Sequence, residues 1–135
     1  VGEVVHQVYC LPVYEDAGLD EAAREGWLEP DEFQAAQRAF FTITDRPPVS
    51  GWESADAARA RFVAAVDAIA ARHSPDDSLA IVTHASVLTL YLAHVRGEAP
   101  RYTDWGPIGF AEVIALDRVT LRPLTPFIAA PYDGL

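Results

Sequence analysis

The sequence lacks methionine altogether and contains one cysteine, Cys10. A single thiol cannot close an internal disulfide, so the expected compartment is the reducing cytoplasm. With Val1 in first place and no initiator residue, the chain is expected to be processed or truncated. Positive charge is scarce: ten Lys and Arg face twenty Asp and Glu, a net of −10. Such a surface repels polyanions and excludes nucleic acid as the expected partner. It also disfavours phosphorylated ligands at long range, so any anion site must be built locally. No apolar run approaches the roughly 20 residues that a membrane-spanning helix needs; the longest candidates are broken by His84, His94 and Arg96. The N-terminus has no charged region leading into an apolar stretch, the mark of a signal peptide. Internal repeats and low-complexity tracts are absent too.

What remains is ordinary globular sequence. The chain has 135 residues, half of them hydrophobic and 22% charged, enough for one domain with a core and too few for two. Residues 1–9 read as the last turns of a helix or as a strand, with helix favoured, and 11–14 as a short extended piece in which Pro12 argues against a central strand. Residues 15–32 form an acidic surface excursion broken at Gly18 and Gly26. Pro30 and Asp31 open a helix over 31–41, with Phe33, Ala36, Phe40 and Phe41 near a 3.6-residue repeat. Residues 42–52 are a loop held extended by Pro47 and Pro48. Ser50 or Ser54 then caps a helix over 54–72, whose apolar face is Ala58, Phe62, Ala65, Val66 and Ile69. The run Leu79-Ala80-Ile81-Val82-Thr83 reads as a strand buried on both faces of a parallel sheet. It leads into an apolar helix over 86–96. Residues 109–116 and 119–123 read as two strands joined by a tight turn at Asp117-Arg118, and 124–135 as an irregular tail. This order of elements is an α/β pattern.

The sharpest constellation for chemistry is Thr83-His84-Ala85-Ser86, where the apolar run ends and a helix begins. Ligands of open α/β sheets bind at the C-terminal ends of strands. A helix N-terminus there offers free amides, from Ala85 and Ser86, and the positive end of the helix dipole, which together suit an anion. The His84 imidazole can add donors or positive charge to a bound phosphoryl group. The plainer alternative, which the spacing leaves open, is that His84 only caps the helix.

The stretch Ile81 to Val95 resembles the second histidine motif of the histidine-phosphatase (phosphoglycerate-mutase-like) superfamily, a strand ending in Ser/Thr-His-Gly followed by an apolar helix. Gly51-Trp52-Glu53-Ser54, followed by a helix carrying Arg61, resembles that family's Gly-Glu-Ser segment and its helical arginine. Leu19-Asp20-Glu21 resembles its Leu-x-Glu motif. Order and spacing agree from about Val1 to Asp117. The resemblance implies a three-layer α/β sandwich with a mostly parallel central sheet, and a phosphomonoester hydrolase working through a phosphohistidine. In that role His84 stabilises the transferring phosphoryl group and Glu21 protonates the leaving oxygen. His84, Ala85 and Ser86 bind the phosphate. The implied ligand is a small phosphorylated substrate or inorganic phosphate, with no metal and no cofactor.

Two departures modify this. Ala85 stands where the family has glycine. The Arg-His-Gly strand that carries the family's nucleophile, and the second arginine beyond it, are not in the sequence. Residues 1–135 are therefore expected to be one domain, the C-terminal part of a histidine-phosphatase-like domain whose sheet is incomplete at the N-terminus. An N-terminal piece or a second copy would complete the sheet, and the chain alone would be inactive. The rivals are a non-catalytic anion-binding or regulatory module on the same fold, and an unrelated α/β domain. Arg72-His73-Ser74 is not a substitute for Arg-His-Gly, because it closes a helix, where basic residues complement the dipole. His6 has no arginine beside it. His94 lies ten residues along the helix from His84, about 15 Å. No pair of histidines has a zinc-ligand spacing. Glu53 is read as bracing its helix rather than touching substrate.

Overall fold

The computed structural model describes residues 11–132. The expectations for residues 1–9, and for His6 and Cys10, lie outside that range. Among the described residues there are four helices: α1 (Pro30–Thr42), α2 (Ala55–Arg72), α3 (Ala85–Arg96) and the single turn α4 (Tyr102–Trp105). A 3-10 turn at Ala17–Leu19 precedes them.

Each long helix begins for a local reason. Pro30 occupies the first turn of α1, where a missing N–H costs nothing, and Glu32 reaches back to accept from the Glu29 amide at 3.3 Å. Ser54 caps α2 by accepting from the Ala57 amide at 3.2 Å. His84 is the residue before α3, in extended conformation, and its side chain makes no capping hydrogen bond. Gly97 ends α3 in the left-handed region at φ 71°, with the Gly97 and Glu98 amides donating back to His94 and Ala93.

The core lies between α2 and α3. Ala58, Phe62 and Val66 meet Val87, Leu90 and Tyr91, with the Phe62 and Tyr91 rings 5.5 Å apart edge to face. Phe40 and Phe41 of α1 and the isolated Ala22 close the same cluster. Trp105 of α4 covers it from outside, 6.4 Å from Phe41.

The β half of the expectation fails. Among the described residues there is no sheet, and so no three-layer sandwich with a parallel central sheet. Residues 79–83 are not a strand. No bridge involves Ile81, which is 39% exposed, and Val82 is 53% exposed. The physical reason is that a strand exists only through its neighbours: without a partner ladder this apolar run has nothing to donate to or accept from. Thr83 alone is tied down, its Oγ1 donating to the Leu19 carbonyl at 2.8 Å.

Of the expected pair 109–116 and 119–123 one isolated antiparallel bridge remains, Leu116–Pro123, while Val113 bridges instead to Ile128, in the tail read as irregular. The turn of the pair is wider than the two residues expected. Asp117 Oδ1 accepts from the Val119 and Thr120 amides, and the Leu121 amide reaches back to the Asp117 carbonyl. Asp117 thus makes an Asx-type turn. No described helix is long and apolar enough to cross a membrane.

Candidate functional site

The first turn of α3 gathers the residues in question. His84 precedes it on the exposed surface, Ala85 is half-buried and Ser86 is fully buried. Neither the shallow depression between α1 and Pro48–Val49 nor the small cleft around Leu92, Ile108 and Phe127 includes His84. The imidazole therefore faces open surface, neither packed into the core nor seated in either depression.

Glu21 comes to the same helix end from far along the chain. Its Oε2 accepts from the Ser86 amide and its Oε1 from the Val87 amide, both at 3.3 Å, and Oε1 also takes the Ala22 amide at 2.9 Å. A carboxylate on the free amides at a helix start is the arrangement that the dipole favours. The structure thus brings Glu21, Ala85 and Ser86 together beside His84. His73 and His94 are placed apart from them. His73 follows the end of α2, its Nδ1 3.8 Å from Asp77, and His94 is exposed in the last turn of α3.

Beneath this surface lies a polar network that sequence reasoning missed. Arg24 Nη2 donates to Ser86 Oγ at 2.9 Å and to Gln37 Oε1 at 3.2 Å, and Gln37 Nε2 donates to the same hydroxyl at 2.9 Å. The Arg24 guanidinium lies 5.0 Å from the Trp52 ring and 5.4 Å from that of Phe33, and 4.0 Å from Glu21 Oε2. Burial pulls the Arg24 pKa below its ordinary value, and the Glu21 charge opposes that only in part. Its Nε is buried without a partner. A signal for this network stood in the sequence: Gln37 interrupts the apolar face of α1 between Ala36 and Phe40, and a fully buried amide needs polar partners.

A second network holds the backbone around Glu21. Arg61 of α2 pairs with Glu53, Nη2 to Oε2 at 2.9 Å and Nε to Oε1 at 3.2 Å. Its remaining hydrogens go to the carbonyls of Ala17, Gly18, Asp20 and Glu21, at 3.0–3.3 Å. Glu53 Oε2 accepts from the Ala23 amide at 3.1 Å, and the Glu53 amide donates to the Ala23 carbonyl at 2.8 Å. Glu53 therefore does more than brace its own helix. Gly18 permits the close approach of this turn to α2, where a Cβ would sit 2.4 Å from the Ala65 Cβ.

Compared with known proteins, residues 3–121 match the family model described as the histidine phosphatase superfamily (branch 1). Among curated proteins none matches the chain.

Proposed function

The chain belongs to the histidine phosphatase superfamily (branch 1), and on that premise we propose that it supplies the phosphoryl-stabilising part of a phosphomonoester hydrolase. The first turn of α3 is the phosphate site: the His84 imidazole and the Ala85 amide take the oxyanion, and the Ser86 amide joins them when Glu21 gives up its contact there. Glu21 is the acid that protonates the leaving oxygen. The observation that carries this reading is the meeting of Glu21 with the Ser86 and Val87 amides next to an exposed, uncommitted His84. Residues so distant in sequence have no reason to converge on one helix end unless the fold brings them there.

The covalent step needs an imidazole nucleophile that forms an N–P bond as the P–O ester bond breaks, with the leaving oxygen taking its proton from Glu21. The sequence contains no Arg-His-Gly to provide it. The second reading, for the chain by itself, is an anion-binding module, with catalysis belonging to a protein that also holds the nucleophile. Residues 1–135 are one domain in this reading, and its ligand is a small phosphorylated molecule or inorganic phosphate.

The test has two parts. The 135-residue chain should not turn over a generic aryl phosphate. Orthophosphate should nevertheless shift the amide resonances of Ala85 and Ser86, and His84→Ala should weaken that binding about tenfold, equivalent to roughly 1.4 kcal/mol. Turnover that disappears in His84→Ala would mean that the nucleophile lies within the chain. Absence of any phosphate effect on these amides would leave His84 as a helix-start residue only.

A further inference from the structure

Glu21 does not reach α3 by its own side chain alone. The turn that carries it is gripped from two sides, and the larger grip comes from residues remote from the phosphate site.

Arg61 offers five guanidinium N–H donors. Two bonds close a fork onto the Glu53 carboxylate, and the others cover the carbonyls of Ala17, Gly18, Asp20 and Glu21. Glu53 then takes the Ala23 amide and returns its own amide to the Ala23 carbonyl. The backbone is fixed at Glu21 by Arg61 and two residues later by Glu53, so the Glu21 side chain springs from a span clamped at both ends. Thr83 Oγ1, beside His84, holds the Leu19 carbonyl of the same turn. By contrast, the contacts of the Glu21 carboxylate with the Ser86 and Val87 amides are long, both at 3.3 Å. Contacts that weak do not by themselves hold a surface turn in place.

We infer that Arg61 and Glu53 are positioning residues that set the Glu21 carboxylate against the first turn of α3. This rests on the reading of Glu21 and His84 as parts of one phosphate site, and it adds residues that touch neither the phosphate nor the proton. The geometry demands a fork. An ammonium at position 61 keeps the charge but cannot bridge a carboxylate and four carbonyls at once. Arg61→Lys therefore separates positioning from simple charge balance.

The experiment follows the Ser86 and Val87 amide resonances of the 135-residue chain by two-dimensional 15N NMR. Glu21→Gln, which leaves an amide where the carboxylate was, gives the reference shift for loss of the charged acceptor. Arg61→Lys and Glu53→Gln should each move these two resonances at least half the distance towards their Glu21→Gln positions. Resonances of the α2–α3 core, such as Leu90, should stay where they are. If both variants fold and leave Ser86 and Val87 unmoved while Glu21→Gln moves them, the pair is a plain structural tie and the positioning role is wrong. Should Arg61→Lys fail to fold, Glu53→Gln, which keeps the hydrogen bonds of Arg61 to the carbonyls, decides by the same two resonances. Titration with orthophosphate distinguishes the two levels. If phosphate does not bind at His84, the phosphate-site reading falls even where Glu21 is held as described. If phosphate binds but Glu21 is indifferent to Arg61 and Glu53, only the positioning role falls.

Discussion

Burial alone would push the Glu53 carboxyl above the ordinary carboxylate range, yet its pKa is held below it. The hydrogen bonds from Arg61, the Ala23 amide and the Arg61 charge together outweigh the desolvation. Arg61 moves the other way, raised first of all by its hydrogen bonds to Glu53. A carboxylate whose folded pKa lies below its unfolded value stabilises the fold above the unfolded value, about 4.3, and loses that contribution as pH falls through the folded one. In urea unfolding, Glu53→Gln should therefore be less stable than the parent by a constant amount above about pH 5.5, with the gap closing towards pH 3. A gap that persists undiminished at pH 3 would mean that the carboxylate charge does not matter and that only its shape is used. Removing the partner is harsher: Arg61→Ala leaves Glu53 with the Ala23 amide as its side-chain donor, strips several carbonyls of the guanidinium, and should cost about 1.5–3 kcal/mol, read from the same unfolding curves.

At the scale of elements, α3 is closed by backbone geometry more than by side chains. Gly97 sits at φ 71°, and a Cβ there would meet nothing within 4 Å. The cost of Gly97→Ala is thus purely one of left-handed backbone, about 1 kcal/mol, and Gly97→Asn should recover part of it because Asn tolerates that region. Urea midpoints for the pair check this; equal losses for Ala and Asn would point to a contact rather than to strain. The three long helices were legible in the sequence to within a residue or two, because all three carry an apolar face and α1 and α2 carry their own start signals. Pro30 and Ser54 act locally, and Phe62 and Val66 mark the buried side of α2 whatever packs against it. The run 79–83 was misread for the opposite reason. Leu, Ile and Val in sequence express a propensity for β structure, but the ladder belongs to a partner, and propensity cannot supply one. Of the candidate site, His84, Glu21, Ala85 and Ser86 could be named from motif order, and the structure sets them beside one another. Arg24 and Gln37 could not, since their meeting at Ser86 joins residues 62 and 49 positions apart in the chain.

At the scale of the molecule, the run that failed to become a strand leaves a consequence. Ile81 and Val82 are exposed, and nothing among the described residues bridges to this segment. An apolar, exposed stretch with unpaired backbone donors and acceptors is a template for pairing with an extended segment. Opposing this is the net charge of −10, which keeps copies apart at low salt. The balance sets a direction: association should strengthen as salt screens the charge, since a Debye length of about 30 Å at 0.01 M falls to about 8 Å at 0.15 M. Sedimentation of the chain at rising concentration should show larger species in 0.15 M salt than in 0.01 M salt. Ile81→Lys, a gatekeeper charge on the free edge, should suppress them. Because Ile81 is already exposed, that substitution should leave the thermal midpoint nearly unchanged, which separates a docking edge from a core position. Association that is equal in parent and variant would place the contact elsewhere, with the bare Phe110, 98% exposed, as the next apolar group to replace.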